Sequence, residues 1–252
     1  MRRTAAAVLA LVAGMAASPA GAGGPAVDLE IVLAVDASGS VDEDEWRLQM
    51  DGIAAAFRDE AVQAAILGGP SGAIAAALVV WADATLPKQE SDWAVLDGRA
   101  AIEAFAQVVE RFPRRVGGGT GIGDGLAIAL DMIRYNRFEA PRQVVDVSGD
   151  GRETPPRDEI AILIPQARGI AQQRGVTVNG LAILTDEPEL DRWYRNNVTA
   201  GPSSFVMSAA DYRDFARAMR EKLLREIEVK IGEGTAGNRA AVFAPSTPTG
   251  SR

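Results

Sequence analysis

The chain has 252 residues, no cysteine, no histidine and a formal net charge of −8 at pH 7. The absence of cysteine and histidine excludes disulfides, thiol nucleophiles, histidine-ligated zinc and a Ser-His-Asp triad. The excess of acidic residues argues against nonspecific binding to nucleic acid or to anionic membranes. The length suits one domain of about 200 residues with additional segments at its ends.

The first 22 residues have the pattern of a secretory signal peptide. Two arginines precede an apolar run over residues 5–17, which is too short to span a bilayer comfortably, and small residues follow it. We expect cleavage after Ala22, with cleavage after Ala20 as the alternative. Cleavage at Ala22 removes two of the 26 basic residues and none of the 34 acidic ones, which leaves a net charge of −10. The prediction is an exported protein, periplasmic or secreted, with no integral membrane segment after cleavage.

The first predicted strand leads directly into three oxygen-bearing side chains. Residues 31–35 form a continuous apolar run, as in a strand of a parallel sheet that is covered on both faces. Asp36, Ser38 and Ser40 follow at alternate positions, so their side chains share one side of an extended segment. One carboxylate with two hydroxyls is a ligand set for a hard cation such as Mg²⁺. The alternative is that these residues only cap the next helix, since Ser and Asp are preferred N-caps.

Patterns of apolar residues predict alternating helices and strands along the rest of the chain. In the first half they are a helix with Trp46, Met50, Ile53 and Phe57 on one face, strands over residues 74–81 and 88–93, a helix over 99–112 and a helix bearing Leu126, Leu130 and Ile133. In the second half they are a strand over 144–147, a helix within 158–174, a strand over 176–184, a short helix holding Trp193 and Tyr194, a strand over 205–208 and a closing helix over 210–229. Pro165 predicts a kink in its segment or a helix that begins only there.

This alternation predicts an α/β fold with a doubly wound, mostly parallel sheet and helices on both faces. We assign a single domain to residues 28–230, after a short N-terminal linker over residues 23–27. Residues 231–252 are rich in Gly, Pro, Ser and Thr, which is typical of a disordered tail. Asp146 stands inside an otherwise apolar strand, where a buried acid requires a hydrogen-bonding partner. We therefore predict a structural role for Asp146.

Two further oxygen ligands are expected at the same edge of the sheet as Asp36. In an open parallel sheet, ligands bind outside the carboxyl ends of the strands, where the strand order reverses. Asp150 follows the strand over residues 144–147, and Thr120 follows a glycine cluster at residues 117–119 that permits close approach. If the strands that precede Asp36 and Asp150 are neighbours, the two carboxylates face each other across the crevice.

This set of residues resembles the metal-ion-dependent adhesion site (MIDAS) of the von Willebrand factor A (VWA) domain, and the resemblance covers roughly residues 28–229. It implies a Rossmann-like fold and a bound Mg²⁺, with Mn²⁺ or Ca²⁺ as alternatives. By the same resemblance, Ser38, Ser40 and Thr120 would coordinate the metal directly or nearly so. Asp36 and Asp150 would hold it largely through water.

Four segments, VVDVSGDG, VNGLAI, AGPSSFV and REKLLREIE, more closely resemble an uncharacterised bacterial family of exported VWA-like proteins. In that family amides often follow SGDG, whereas Arg152, Glu153 and Thr154 follow it here. This departure leaves the five ligands intact. The departure changes the residues expected around the opening of the site, and these residues select the partner.

The resemblance implies a binding module whose metal is bridged to an Asp or Glu of a protein partner. The alternative is a Mg²⁺-dependent phosphohydrolase that uses the same crevice, with Asp36 as nucleophile or base. Three features argue against hydrolysis: position 38 is a serine and not a second aspartate, the chain has no histidine, and the motif segments contain no lysine. We therefore predict a protein that is not an enzyme, has no catalytic residues and does not bind nucleic acid.

Overall fold

The computed structural model describes residues 24–155 and 161–228. The predicted signal peptide (residues 1–22) and tail (residues 231–252) lie outside these ranges, as does part of the 158–174 segment. None of the described helices is both long and apolar enough to cross a membrane.

Strands and helices alternate along the chain. The strands are β1 (Glu30–Asp36), β2 (Ile74–Trp81), β3 (Gln89–Glu90), β4 (Ala94–Leu96), β5 (Gln143–Gly149), β6 (Thr177–Ile183) and β7 (Val206–Ala209). The helices are α1 (Glu43–Arg58), α2 (Glu60–Leu67), α3 (Arg99–Glu110), α4 (Ile122–Arg134), α5 (Ile164–Arg174), α6 (Leu190–Asn197) and α7 (Phe215–Ile227). The sheet order is β3-β2-β1-β5-β6-β7, and β4 also pairs with β2. Only β3 and β4 pair antiparallel within the described sheet, so the predicted α/β fold is confirmed.

The sheet is covered on both faces, which explains the continuous apolar run of β1. Ile31, Leu33 and Val35 face a hydrophobic layer that includes α1, α3 and α7. Val32 and Ala34 face a second layer that includes α4, α5 and α6. Successive side chains of a strand point to opposite faces, so both sets must be apolar. The predicted stripe of α1, formed by Trp46, Met50, Ile53 and Phe57, is confirmed as buried in the first layer. Helix α7 buries a similar stripe there, formed by Phe215, Met219, Leu223 and Ile227.

The strand order reverses between β1 and β5. From β1 the chain passes to β2 on one side and later to β5, β6 and β7 on the other. Val35 pairs with Ser148 in parallel register, so Asp36 and Gly149 end their strands side by side. The neighbouring strands expected before Asp36 and Asp150 are therefore confirmed, and their carboxyl ends form the crevice at which ligands bind in such sheets.

The sequence patterns do not predict α2. Asp59 ends α1 in an extended conformation, and its side chain accepts hydrogen bonds from the main-chain N–H groups of Ala61 and Val62. One aspartate thus ends the first helix and provides the N-cap of the second.

The single strand predicted over residues 88–93 is shorter than expected: β3 covers residues 89–90, and a second short strand, β4, follows at residues 94–96; both pair with β2. Ser91 separates them. Its N–H donates to the carbonyl of Leu78 at 2.9 Å, and its hydroxyl accepts the Leu78 N–H at 2.9 Å. The serine side chain thus replaces a main-chain partner, and the regular ladder stops.

Two helix starts differ in detail from the sequence patterns. Helix α5 begins at Ile164 with Pro165 in its first turn, so the second of the two expectations for that segment is confirmed. Helix α7 begins at Phe215 and not at residue 210. The Asp211 carboxylate accepts hydrogen bonds from the N–H groups of Arg213 and Asp214, which closes a turn before the helix.

The buried acid of β5 has an ion-pair partner on the closing helix. Lys222 Nζ lies 2.6 Å from Asp146 Oδ1 and 2.7 Å from Glu226 Oε1. Asn179 of β6 donates to the same Glu226 oxygen at 2.7 Å. The side chains of Lys222, Asp146 and Glu226 are fully buried, so this cluster connects α7 to two central strands. The predicted partner of Asp146 is therefore present.

Candidate metal site

The loop after β1 brings four of the five predicted ligands into one hydrogen-bonded chain. Asp36 Oδ1 accepts the Ser38 N–H at 2.7 Å, which turns the backbone at the strand end. The hydroxyls of Ser38 and Ser40 lie 3.2 Å apart, and the Ser40 hydroxyl donates to Asp150 Oδ1 at 2.8 Å. Asp36, Ser38 and Asp150 are buried, whereas Ser40 is exposed. The cluster is therefore open to solvent on the Ser40 side.

The fifth predicted ligand, Thr120, lies on a loop that forms hydrogen bonds with the segment after β1 and with the segment after β5. Gly39 N–H, between the two serines, donates to the carbonyl of Gly118 at 2.7 Å. Thr120 N–H donates to the Thr154 hydroxyl at 2.9 Å, and Thr154 N–H donates to the Thr120 carbonyl at 2.9 Å. Thr120 is 9% exposed. The structure thus places all five predicted residues at one edge of the sheet.

The electrostatics of the cluster favour a cation. Burial, followed by the charge of Asp150, raises the pKa of Asp36 to about 7 from an ordinary value of 3.8. Among the described residues, no hydrogen-bond donor contacts Asp36 Oδ2, although this atom is buried. A buried, unpaired carboxylate oxygen is costly, and a nearby cation offsets that cost. Carboxylate and hydroxyl oxygens suit Mg²⁺, so the residues present fit a divalent metal.

In the described part of the chain, acidic side chains do not by themselves form a metal site. The residues in that part contain no group of three or more acidic side chains that could hold a metal together. A cation at this cluster would be shared between its two carboxylates and neutral oxygens. This agrees with the ligand set that the sequence predicts.

Sequence reasoning missed two polar contacts beneath the cluster. Gln49 of α1 is buried, and its Nε2 donates to the Asp36 carbonyl at 3.0 Å. Gln49 lies three residues after Trp46, on an otherwise apolar face of the predicted helix. This position indicates a buried amide, and a buried amide needs hydrogen-bonding partners. Tyr194 of α6 is also fully buried and lies near Asp36, and burial raises its pKa well above the usual range. No local pattern indicates the location of Tyr194.

Gly149 makes the approach of Tyr194 and Asp36 possible. A Cβ at position 149 would lie 2.6 Å from the Tyr194 hydroxyl and 2.8 Å from Asp36 Oδ2. Such distances are far below van der Waals contact. Only glycine fits between the two side chains without displacing one of them.

Replacing Gly149 with alanine is therefore expected to destabilise the protein by about 1–3 kcal/mol, as overpacking does. The variant should also bind Mg²⁺ more weakly, because Asp36 must move. Urea unfolding in EDTA and a Mg²⁺ titration measure the two effects. Gly151→Ala is the matched control, since no heavy atom lies within 4 Å of its added Cβ. Equal unfolding free energies for the two variants would contradict the close packing.

Arg152, Glu153 and Thr154, which follow SGDG, make different contacts. Glu153 accepts the N–H groups of Gly123 at 2.8 Å and Ile164 at 3.2 Å, at the N-termini of α4 and α5. Carboxylates are favoured at this end of a helix. Arg152 is exposed and pairs with Glu187 at 2.6 Å. Glu153 therefore organises the loops, as Thr154 does at Thr120, whereas Arg152 is exposed and also lies over the ring of Trp193.

Residues 26–231 match the model of a family described as "Protein of unknown function (DUF1194)". The chain belongs to this family. A comparison of this chain with curated proteins gave no match.

Solved structures show which fold this DUF1194 protein has. It is similar to the pilus adhesin SpaC from Lactobacillus rhamnosus GG (TM-score 0.59, 16% identity, 80% of this chain and 30% of that chain). It is also similar to proximal thread matrix protein 1 from the mussel byssus with a zinc-occupied MIDAS motif (0.55, 18%, 80% and 46%). A third is the vWF domain of the type V pili tip protein Mfa5 from Porphyromonas gingivalis (0.54, 13%, 80% and 95%).

These similarities establish the VWA fold, as the sequence predicts. The chain spans less than a third of SpaC and about half of the mussel protein, but nearly all of the Mfa5 domain. The region shared with SpaC and with the mussel protein is therefore only part of each of them. At such low identities the comparison concerns the fold alone.

Proposed function

We propose that this DUF1194 protein is an exported VWA module that binds one divalent cation and, through it, an acidic side chain of a protein partner. The proposed ligands are Asp36, Ser38, Ser40, Thr120 and Asp150. One observation carries the proposal: the buried Asp36 Oδ2 has no donor among the described residues and lies in a cluster with a second carboxylate and two hydroxyls. Mg²⁺ is the expected cation, with Mn²⁺ and Ca²⁺ as alternatives.

The ligand chemistry favours an acidic partner group. Hydroxyl ligands are neutral, so they leave more positive charge on a bound cation than carboxylates would. Ser40 is exposed, so a group from another molecule can approach from its side. A carboxylate from Asp or Glu is the protein group that best matches a hard cation there. Arg152, two residues after Asp150 in the sequence, adds an exposed guanidinium, although Glu187 partly neutralises it.

The names of the similar structures support this reading. They include a pilus adhesin, a pilus tip protein and a byssal matrix protein, and in the last the MIDAS motif holds zinc. These are properties of those proteins. They support a metal-bridged binding role here because this chain shares their fold and has a set of residues that resembles a MIDAS.

Phosphoester hydrolysis in the same crevice is the weaker proposal. Asp36 is fully buried, and one of its oxygens is occupied by the Ser38 N–H. The Arg114 guanidinium, which is close to this loop, donates to main-chain carbonyls and not outward. We expect no turnover of generic phosphoesters with Mg²⁺ or Mn²⁺. Turnover that Asp36→Asn abolishes would contradict a pure binding role.

Affinity capture from the native periplasm and from the culture supernatant tests the binding role. Immobilised protein should retain a partner in Mg²⁺ and release it in EDTA. The Asp150→Ala variant, used as bait under the same conditions, should retain none. A partner held equally well in EDTA and by the variant would exclude a metal bridge.

Export is tested separately. The proposal expects native protein to be found outside the cytoplasm and to begin near Gly23. N-terminal sequencing of native material measures both. Material that retains Met1 in a cytoplasmic fraction would contradict the signal peptide.

A further inference from the structure

One arginine holds the loop that carries two of the proposed metal ligands. Arg114 Nη2 donates to the carbonyl oxygens of Ala37 at 3.2 Å, Ser38 at 2.9 Å and Val41 at 2.7 Å. Its Nη1 lies 3.4 Å from the carbonyl of Asp42. The residues that carry these carbonyls lie on both sides of Ser40 in the sequence, in the turn between β1 and α1. The guanidinium therefore links four main-chain carbonyls of this turn.

Arg114 is itself fixed by its surroundings. Its guanidinium lies over the ring of Trp46, 5.9 Å from the ring centroid. Gln89 holds the main chain on both sides of it, because its Nε2 donates to the Pro113 carbonyl at 2.9 Å and its Oε1 accepts the Arg115 N–H at 2.6 Å. The short edge strand β3 thus supports the arginine, and the arginine supports the loop.

We propose that Arg114 is a positioning residue of the metal site, which keeps Ser38 and Ser40 in the conformation that binds a cation. This inference rests on the proposed metal-binding function. Without the guanidinium, the carbonyls of residues 37, 38, 41 and 42 lose a common donor, and the turn can relax. Mg²⁺ demands near-ideal octahedral geometry, whereas Ca²⁺ accepts varied geometry and coordination number. A relaxed loop should therefore weaken Mg²⁺ binding more than Ca²⁺ binding.

The geometry is specific to arginine. A guanidinium presents its donors in a rigid planar fork, whereas a lysine ammonium is a compact group on a flexible stem. Lysine at position 114 keeps the positive charge but cannot reproduce the fixed fork across the carbonyls. Arg114→Lys should therefore be intermediate between the wild type and a neutral variant.

Electrostatics alone predicts the opposite effect, which makes the test decisive. Removing a positive charge near a cation site should strengthen cation binding, because like charges repel. Positioning by Arg114 predicts weaker binding when the same charge is removed. Arg115→Met is the matched control, since it removes one positive charge from the adjacent, exposed residue and leaves the carbonyl contacts of Arg114 intact.

The experiment measures Mg²⁺ and Ca²⁺ affinities of the full chain by calorimetry at constant ionic strength, with unfolding temperatures in EDTA. Arg114→Met should lower Mg²⁺ affinity tenfold or more and reduce the preference for Mg²⁺ over Ca²⁺. Arg115→Met should leave both affinities within about twofold. If Arg114→Met does not fold in EDTA, the folded Arg114→Lys variant is compared with the wild type instead. Its Mg²⁺ affinity should also fall, but by a smaller factor.

The outcomes separate this inference from the proposed function. Wild-type protein that binds neither cation would overturn the proposed function. Wild-type binding together with unchanged or stronger Mg²⁺ binding in both Arg114 variants would overturn the role of Arg114 alone. A loss of affinity with an unchanged Mg²⁺-to-Ca²⁺ ratio would also overturn it, because general destabilisation would then explain the effect.

Discussion

Replacing Lys222 with methionine is expected to destabilise the protein by about 3–5 kcal/mol, as the removal of one partner from a buried ion pair does. Among the described residues, Lys222 is the only cationic side chain within 4.0 Å of the Asp146 and Glu226 carboxylates, and all three side chains are fully buried. Methionine fills similar volume but leaves two carboxylates in an apolar layer without their counter-charge. Urea unfolding at pH 8 measures the loss.

The control is a variant in which the whole cluster is neutral, Lys222→Met with Asp146→Asn and Glu226→Gln. It keeps an acceptor for Asn179 and removes all three charges, so most of the lost stability should return. If the single and triple variants were equally unstable, packing of the lysine stem and not charge would explain the effect.

The penalty should also depend on pH. Burial is the largest cause that raises the pKa of Asp146, with the Glu226 charge adding to it, although Lys222 acts in the opposite direction. A carboxyl whose pKa is higher in the folded than in the unfolded state contributes stability at low pH, and that contribution is lost as the pH rises through the folded pKa. The Lys222→Met penalty should therefore be smaller at pH 5 than at pH 8.

The same cluster should oppose sliding of α7 along the sheet. Lys222 and Glu226 lie on α7, whereas Asp146 and Asn179 lie on β5 and β6. Sliding α7 along the sheet would separate buried charges, which costs more than sliding an apolar stripe. We expect α7 to resist such movement in the wild type. In the neutral triple variant that resistance is reduced, and faster amide exchange along α7 would show it.

The second large effect is the loss of metal binding in Asp36→Asn and Asp150→Ala. Each variant removes one of the two carboxylates of the proposed site, and calorimetry should show no detectable Mg²⁺ binding in either. Asp36→Asn retains an acceptor for the Ser38 N–H, so the turn after β1 is preserved. In EDTA this variant should be at least as stable as the wild type, because the repulsion between two neighbouring carboxylates is relieved.

Glu43→Gln is the matched control for charge. Glu43 lies in the first turn of α1, close in sequence to the site, and its side chain is exposed. The substitution removes one negative charge without removing a proposed ligand. Wild-type affinity in this variant and none in Asp36→Asn is the expected pattern. Unchanged affinity in Asp36→Asn or Asp150→Ala would reject the ligand assignment.

The sequence by itself determined the fold class and which residues lie together at the proposed site. Apolar runs such as residues 31–35 and 74–81 can be satisfied only in a sheet that is covered on both faces, and the helix stripes between them supply that cover. Asp36, Ser38 and Ser40 share one side of a short segment, so local geometry brings them together. Asp150 joins them because parallel strands align their carboxyl ends.

Only the tertiary structure decided which distant side chains support these residues. Arg114 reaches the carbonyls around Ser40, Tyr194 comes within reach of Asp36 across Gly149, and Lys222 pairs with Asp146. Each of these contacts joins elements that are far apart in sequence, and an isolated Arg, Tyr or Lys has no periodic pattern. Their partners follow from how helices pack on the sheet, which depends on the shape and volume of many side chains at once.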